Sequence, residues 1–310
     1  MRALISVSDR TGLVNFSKEL SEMGYELIST GGTSLYLREH GLSVTDIADV
    51  TGCSEILGGR VKTLHPNIHG AILGDRRDDS HRIQMEELGI IGIDVVINNF
   101  YPFQDVIADN DSSIELVLEN IDIGGPAMTR AAAKNFVNVL VIVDPKDYKW
   151  IGKLMMSGNV SDSDRRRLAA KAFQHVAFYD SLIADYLFEN SESEQYRDKL
   201  TYAWERVSLP RYGENPHQSA AIYRWANEKG GIVNATKLHG IDMSYLNYYD
   251  ADAAWNAVTS FQQPCVAIVK HSNPCGLAIS QDQTEAYNRA LSGDPVSAFG
   301  GIVGFNTEVS

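Results

Sequence analysis

Short apolar runs alternating with amphipathic stretches fill the first half of the chain and constrain its fold more than any other feature. Residues 3–7 read as a buried strand. Leu13, Phe16, Leu20 and Met23 then recur three and four apart, the mark of one helical face. Residues 25–29 are strand-like and end on Thr30-Gly31-Gly32-Thr33. A helix begins at Leu35 to Arg38 and stops at His40-Gly41. Residues 43–47, 94–98 and 138–143 are further strands, each followed by polar or helical sequence. Strands separated by helices cannot pair as hairpins, so the pattern predicts a parallel sheet covered on both faces, a three-layer α/β domain.

Residues 162–189 read as one or two long helices with an apolar stripe of Leu168, Ala172, His175, Val176, Tyr179, Leu182, Ile183 and Tyr186. Arg165-Arg166-Arg167 near its start reads as a solvated helix face rather than a basic patch. The polar, acidic stretch around Ser191-Glu192-Ser193-Glu194 breaks the periodicity and puts a domain boundary near residue 199. Two domains also suit 310 residues.

The net charge of −13 argues against a surface built to coat nucleic acid or anionic membrane. Three widely spaced cysteines, Cys53, Cys265 and Cys275, make no disulfide framework. No apolar run approaches the ~18 residues of a membrane span, and the amino terminus has no signal-peptide core. These features together predict a cytoplasmic protein.

Beyond the boundary, Arg211-Tyr212-Gly213-Glu214-Asn215-Pro216-His217-Gln218 looks like an ordered loop. A helix is expected over 251–261, a strand over 265–269, a helix over 285–291 and a last strand over 302–305. Between the first strand and second helix lies Lys270-His271-Ser272-Asn273-Pro274-Cys275-Gly276.

Several of these segments have the composition of a site. Thr30-Gly31-Gly32-Thr33 marks a strand-to-helix turn whose free amides and hydroxyls suit an anion, though it lacks the ending of a P-loop. Ser8-Asp9-Arg10-Thr11 is a second loop on the same sheet edge, where ligands of open α/β sheets bind. Together the two loops point to a phosphate-bearing ligand. Arg60-Val61-Lys62-Thr63-Leu64-His65-Pro66 is flanked by Gly58-Gly59 and Gly70, which favours a shaped loop over a merely soluble surface. Tyr101, held extended before Pro102, presents a hydroxyl beside Asn98 at a strand end. In Ile121-Asp122-Ile123-Gly124-Gly125-Pro126, Asp122 reads equally as a helix cap or as half of an acid/base pair with Lys134. Lys270-His271 offers a proton carrier beside a fixed cation, or a plain surface pair. A zinc-deaminase reading of His271 and Pro274-Cys275 fails, because Asn273 stands where glutamate is required and Ala278 where the second cysteine would be.

These motifs, spread over the whole chain, resemble the bifunctional purine-biosynthesis family that joins phosphoribosylaminoimidazolecarboxamide (AICAR) formyltransferase to inosine-monophosphate (IMP) cyclohydrolase. The resemblance rests on residues 6–11, 29–33, 59–66, Tyr101-Pro102-Phe103, 121–125 and Arg130-Ala131-Ala132-Ala133-Lys134-Asn135, and later on 211–218, 270–276 and 294–301. It implies a methylglyoxal-synthase-like domain with a parallel sheet over residues 1–199, carrying the cyclohydrolase. A partial cytidine-deaminase-like α/β domain over 200–310 is implied as the start of the formyltransferase.

The family's cyclohydrolase closes 5-formamidoimidazole-4-carboxamide ribonucleotide to IMP with loss of water. Carried over, Ser8, Arg10, Thr11, Thr30, Gly31, Gly32 and Thr33 are the nucleotide-phosphate contacts. Arg60, Lys62 and Thr63 form the loop over the base, with Lys62 an oxyanion or proton-transfer group, and Asn98 and Gly124 join the substrate contacts. Tyr101, Asp122 and Lys134 complete the catalytic set, Asp122 accepting the amide proton and Lys134 orienting it. Arg10, Arg60, Lys62, Arg130 and Lys134 are expected to converge on the anionic nucleotide.

In the second region, Lys270 and His271 are the implied catalytic pair, with Arg211, Tyr212, Asn215 and His217 as substrate contacts and 10-formyltetrahydrofolate as cosubstrate. No metal or redox cofactor is implied, and a homodimer is expected. Family members continue past residue 310, so formyl transfer is expected to need sequence beyond this chain. The rival reading is a methylglyoxal-synthase-like module that binds a phosphate ligand and regulates without catalysis.

Overall fold

The structure is a computed structural model that describes residues 1–108, 112–189, 196–226 and 228–309; the acidic run Ser191-Glu192-Ser193-Glu194 lies outside the described residues. The chain divides into two compact units, residues 1–202 and 203–310.

The first unit contains, in order, β1 (Arg2–Val7), α1 (Leu13–Glu22), β2 (Glu26–Ser29), α2 (Gly31–Glu39), β3 (Thr45–Asp46), α3 (Ile47–Thr51), α4 (Pro66–Leu73), α5 (Asp79–Glu87) and β4 (Val95–Asn99). It continues with α6 (Phe103–Ile107), α7 (Ile114–Glu119), α8 (Gly124–Lys134), β5 (Leu140–Ile142), α9 (Tyr148–Met156) and α10 (Asp162–Glu189). The five strands form one sheet in the order β3-β2-β1-β4-β5, and every pairing in it is parallel.

Side chains alternate across the strands, so each strand feeds two cores. Leu4, Ile28, Val96 and Val141 point to one face, under Ile68 and Ile72 of α4, Met128 and Ala132 of α8 and Ala172 of α10. Ala3, Ile5, Leu27, Val95, Ile97 and Ile142 point to the other, against Leu13, Phe16 and Leu20 of α1, Leu37 of α2 and Ile151 of α9. This is the expected three-layer parallel arrangement. Order reverses at β1, with β2 and β3 added on one side and β4 and β5 on the other. The crevice at the carboxyl ends of β1 and β4 is therefore a topological switch point.

Two details differ from the sequence reading, and one alternative it left open is decided. The strand expected over 43–47 shrinks to two residues, because the Asp46 side chain accepts the Ala48 amide at 3.1 Å and starts α3. The helix expected from Leu35 begins four residues earlier, so Gly31 and Gly32 form its first turn. The 162–189 stretch is a single helix. Among the described residues no helix is long and apolar enough to cross a membrane.

The second unit has β6 (Trp204–Ser208), β7 (Ile222–Trp225), α11 (Tyr245–Thr259), β8 (Cys265–Lys270), β9 (Asn273–Ile279), α12 (Gln283–Gly293) and β10 (Ile302–Phe305). β8 is central in an antiparallel sheet of order β10-β8-β9, and β6 pairs with β7 apart from it. Ala267 and Val269 pack on Ala254 and Val258 of α11. Val266 and Ile268 pack on Ala286 and Ala290 of α12.

The sequence reading placed no strand over 270–276, yet β9 begins at Asn273 and includes Pro274 and Gly276, residues that disfavour a strand interior. Both are accommodated. The register shifts between Ile268 and Val269, opposite Gly276 and Pro274. Gly276 is also where the Ala290 carbonyl of α12 crosses, leaving no room for a side chain.

Candidate active site at the carboxyl edge of the parallel sheet

Five loops meet at the switch point. The β1 exit carries Ser8, Asp9, Arg10 and Thr11. Asn99, at the end of β4, fixes it: Oδ1 accepts the amides of Ser8 (2.7 Å) and Asp9 (2.8 Å), and Nδ2 donates to the Asp9 carbonyl (3.1 Å). The Thr11 amide closes the loop by donating to Asp9 Oδ1 at 2.9 Å. Arg10 lies over the Tyr36 ring at 4.7 Å and donates to the Gly32 carbonyl at 3.2 Å.

The second loop is the start of α2. Its first helical amide bonds run from Thr33 and Ser34 to the Thr30 carbonyl, both 3.2 Å, and the Thr30 hydroxyl makes no capping bond. Among the described residues nothing accepts from the Gly31 and Gly32 amides, which face out at the positive end of the helix. Thr33 is used differently from its sequence expectation. Its buried hydroxyl accepts the Val7 amide (3.2 Å) and donates to the Val7 carbonyl (3.1 Å), so it staples β1 to α2 instead of offering a hydroxyl to a ligand.

The lysine loop is shaped as the glycines foretold. Leu57, Gly58 and Gly59 all have positive φ (55°, 65° and 90°), and Ile56 and Val61 bridge across the turn. This fold-back brings Lys62 beside α2: a methyl placed on Gly31 would stand 3.7 Å from its Nζ. Glu55, which sequence reasoning missed, accepts an ion pair from Lys62 at 2.8 Å. Thr63 is buried against the start of α8, and a methyl on Gly124 would stand 2.7 Å from its Oγ1. Arg60 is exposed and turned toward Glu119 of α7, whose carboxylate raises its pKa by hydrogen bond and charge.

The fourth and fifth loops are the ends of β4 and of the segment before α8. Asn98 is 1 % exposed, and its Nδ2 is taken by the Gly125 carbonyl (2.7 Å) and Thr129 Oγ1 (2.9 Å). It therefore holds α8 in place instead of contacting substrate through its amide nitrogen. Asp122 accepts the Gly125 amide at 2.9 Å, and its own amide donates to Tyr179 Oη at 2.8 Å. Burial raises the Asp122 pKa, opposed by the Gly125 and Gly124 amides. Tyr101 is exposed beside this edge.

Two expected members do not join. Lys134 ends α8 while Asp122 precedes it, and the ten residues from Gly124 to Lys134 separate them by about 15 Å. Within one chain Lys134 cannot orient Asp122. Arg130, exposed on the same helix, lies 5.9 Å from the Phe173 ring centre. The cationic set that gathers is thus Arg10 and Lys62.

The second unit holds its expected residues in two places. In the 211–218 loop the Gly213 amide donates to the Gln218 carbonyl (2.8 Å), and the Asn215 amide donates to Gln218 Oε1 (2.8 Å). An open cavity of about 540 Å³ lies against it, lined by Gly213, Glu214, His217, Gln218 and Tyr245 among others. Arg211 covers the Tyr212 ring at 5.4 Å. Lys270 donates to the Phe299 carbonyl at 2.8 Å. His271 and Ser272 form a two-residue turn with φ of 53° and 62°, and the Ser272 amide is anchored on Asp250 at 2.7 Å. Among the described residues no hydrogen bond links Lys270 or His271 to the 211–218 loop.

Asn99, Glu55 and Tyr179 were missed. Asn99 had a signal, since paired asparagines ending an apolar strand must point to opposite faces. Tyr179 had none, its partner Asp122 lying 57 residues away, and Glu55 meets Lys62 only through the fold-back of the glycine turn between them.

Comparison with known proteins bears on the family. The profile of the AICARFT/IMPCHase bienzyme family matches residues 132–310, and that of the MGS-like domain matches residues 12–127. The chain is 51% identical over 310 residues to the bifunctional purine biosynthesis protein PurH of Bacillus cereus (strain G9842), covering 99% of this chain and 60% of that protein. It is 50% identical to the protein of the same name from Bacillus subtilis (strain 168), with the same coverage. The chain thus spans about 60% of the length of the curated relatives it matches. Among solved structures, the crystal structure of ForH aligns with a TM-score of 0.55 and 38% identity, covering 63% of this chain and all of that one.

Proposed function

The chain belongs to the AICARFT/IMPCHase bienzyme family, and from that premise we propose that its first 199 residues are an IMP cyclohydrolase of purine biosynthesis. The substrate is 5-formamidoimidazole-4-carboxamide ribonucleotide. Its phosphate sits on the free amides of Gly31 and Gly32, with Arg10, Ser8 and Thr11 beside them. The base extends toward Lys62, Thr63 and Asp122. The single observation that carries this reading is that one short loop sets Lys62 Nζ beside Gly31 of α2 and the adjacent Thr63 against Gly124, in the turn that Asp122 caps.

In the reaction the carboxamide nitrogen attacks the formyl carbon, forming a C–N bond and placing negative charge on the formyl oxygen. Lys62 stabilises that charge, as a fixed cation does best where charge develops. Asp122 accepts the proton lost by the attacking nitrogen. Burial favours this step, because a carboxylate whose pKa is raised is a better base. Lys62 protonates the oxyanion to a hydroxyl, which takes the proton held by Asp122 and leaves as water, while the former formamide N–H proton passes to Lys62 and the C=N bond closes the ring. Both reacting groups belong to one molecule, so holding the reactive conformer supplies much of the acceleration. Tyr101 contacts the base from the exposed side. Lys134 takes no part in the step as drawn, since α8 carries it away.

Residues 200–310 are proposed to belong to the formyl-transfer half, with Lys270 and His271 acting on the amino-imidazole nucleotide, 10-formyltetrahydrofolate as formyl donor, and Arg211, Tyr212, Asn215 and His217 around the substrate. A cytoplasmic homodimer is proposed as the working state.

Lys62→Ala tests the cyclohydrolase reading. Ring closure, followed by absorbance with the formamido nucleotide, should fall by at least about 100-fold, while thermal unfolding stays as in wild type. Turnover near the wild-type rate would refute the assignment.

A further inference from the structure

The long helix α10 touches the site from behind, through one face. Tyr179 is 5 % exposed, and its Oη accepts the Asp122 amide at 2.8 Å. The same hydroxyl donates to the Asn120 carbonyl at 3.4 Å. Its ring packs on Phe100 at 5.0 Å and edge-on to Phe103 at 6.0 Å. Those two phenylalanines flank Tyr101. One turn earlier, His175 stacks on Phe100 at 4.4 Å.

We propose that Tyr179 is the positioning residue of the cyclohydrolase site, tying the Asp122 turn and the Tyr101 loop to one rigid helix. The proposal rests on the cyclohydrolase reading above. Neither loop is held by regular secondary structure at the residue that matters. Asp122 lies between α7 and α8, and Tyr101 lies between β4 and α6. A buried hydroxyl that accepts the Asp122 amide and donates two residues upstream fixes the backbone on which the carboxylate is hung. Such a brace acts on the reaction through geometry, where a misplacement of about 1 Å is costly. It has no bearing on the anion loops, which Asn99 and Thr33 hold independently. α10 also lies outside residues 12–127, the span matched by the MGS-like domain profile. It falls instead within residues 132–310, the span matched by the AICARFT/IMPCHase bienzyme profile.

The variant is Tyr179→Phe, which keeps the ring against Phe100 and Phe103 and removes only the hydroxyl. Three readouts are taken on the whole chain. In ring closure, kcat should fall about tenfold with KM within twofold. IMP affinity by calorimetry should stay within twofold, which also shows that the variant is folded. Amide hydrogen exchange at Asp122, read by NMR, should accelerate at least about tenfold.

Unchanged kcat with unchanged Asp122 exchange would overturn the proposal. Equal losses in kcat and IMP affinity would overturn it too, by showing general damage. If the wild-type chain binds IMP but closes no ring, the cyclohydrolase reading fails. The brace is then judged by exchange alone: faster exchange at Asp122 upholds it, and wild-type exchange removes it.

Discussion

The two units carry their candidate chemistry on different kinds of support. In the first, β4 is buried at all five positions, and its two terminal asparagines reach in opposite directions to pin the β1 exit and the start of α8. In the second, β8 is buried but its neighbours β9 and β10 are only half-buried or exposed, and β6 and β7 bury no residue fully. There Lys270 leans on the carbonyl of Phe299, a residue that is 86 % exposed, and His271 sits in an exposed left-handed turn. A site held by buried hydrogen bonds is preorganised; one carried on an open sheet gains its rigidity from whatever covers it.

The largest effect that would break this contrast is on substrate binding. Asn99→Ala removes one side chain that satisfies three backbone groups of the anion loop. KM for the formamido nucleotide should rise about tenfold with kcat within twofold, and stability should drop by about 1–3 kcal/mol. Steady-state kinetics together with a urea titration measure both. An unchanged KM would show that the loop holds its shape without the asparagine.

A smaller effect comes from pH. Burial holds the His175 pKa down at about 4, with the nearby Lys171 acting in the same direction against the opposing Asp144. The unfolded chain binds this proton near pH 6.5 and the folded chain only near pH 4. Between those values the unfolded state holds more protons, so stability falls as pH drops from 6.5 toward 4. For one partly exposed ring the loss is about 2 kcal/mol. Urea unfolding across that window should show the slope, and His175→Gln should flatten it. A slope that survives the substitution would move the cause elsewhere.

The smallest effect lies in the second unit. His271 and Ser272 hold φ of 53° and 62°, a conformation that costs a side-chain-bearing residue energy and glycine almost none. His271→Gly should raise the unfolding free energy of the unit by about 0.5–1 kcal/mol. A destabilised variant would mean that the imidazole packs more than it strains.

What was legible in the sequence follows the range of the interactions involved. Strand and helix periodicities in residues 3–39 located four elements, since burial on two faces writes itself locally. The glycines at 58 and 59 announced a shaped lysine loop, because positive φ needs them. Twelve residues beyond its expected partner Asp122, by contrast, composition said nothing of where Lys134 would point. Its place depends on α8 running unbroken from Gly124, a property of the whole helix. Likewise, Thr33 looked like a ligand hydroxyl until β1 was seen to need it. β9 stayed hidden because its proline and glycine are tolerated only opposite a register shift and a close helix. Tyr179, 57 residues from Asp122, is beyond any local signal.

The central claim is that the crevice between β1 and β4 catalyses ring closure and does more than bind a phosphate. Purified wild-type chain is given the formamido nucleotide and followed by absorbance, with IMP binding measured in parallel by calorimetry. Stoichiometric release of IMP over many turnovers is the predicted result. Tight binding of IMP with no turnover would contradict it and leave a ligand-binding module.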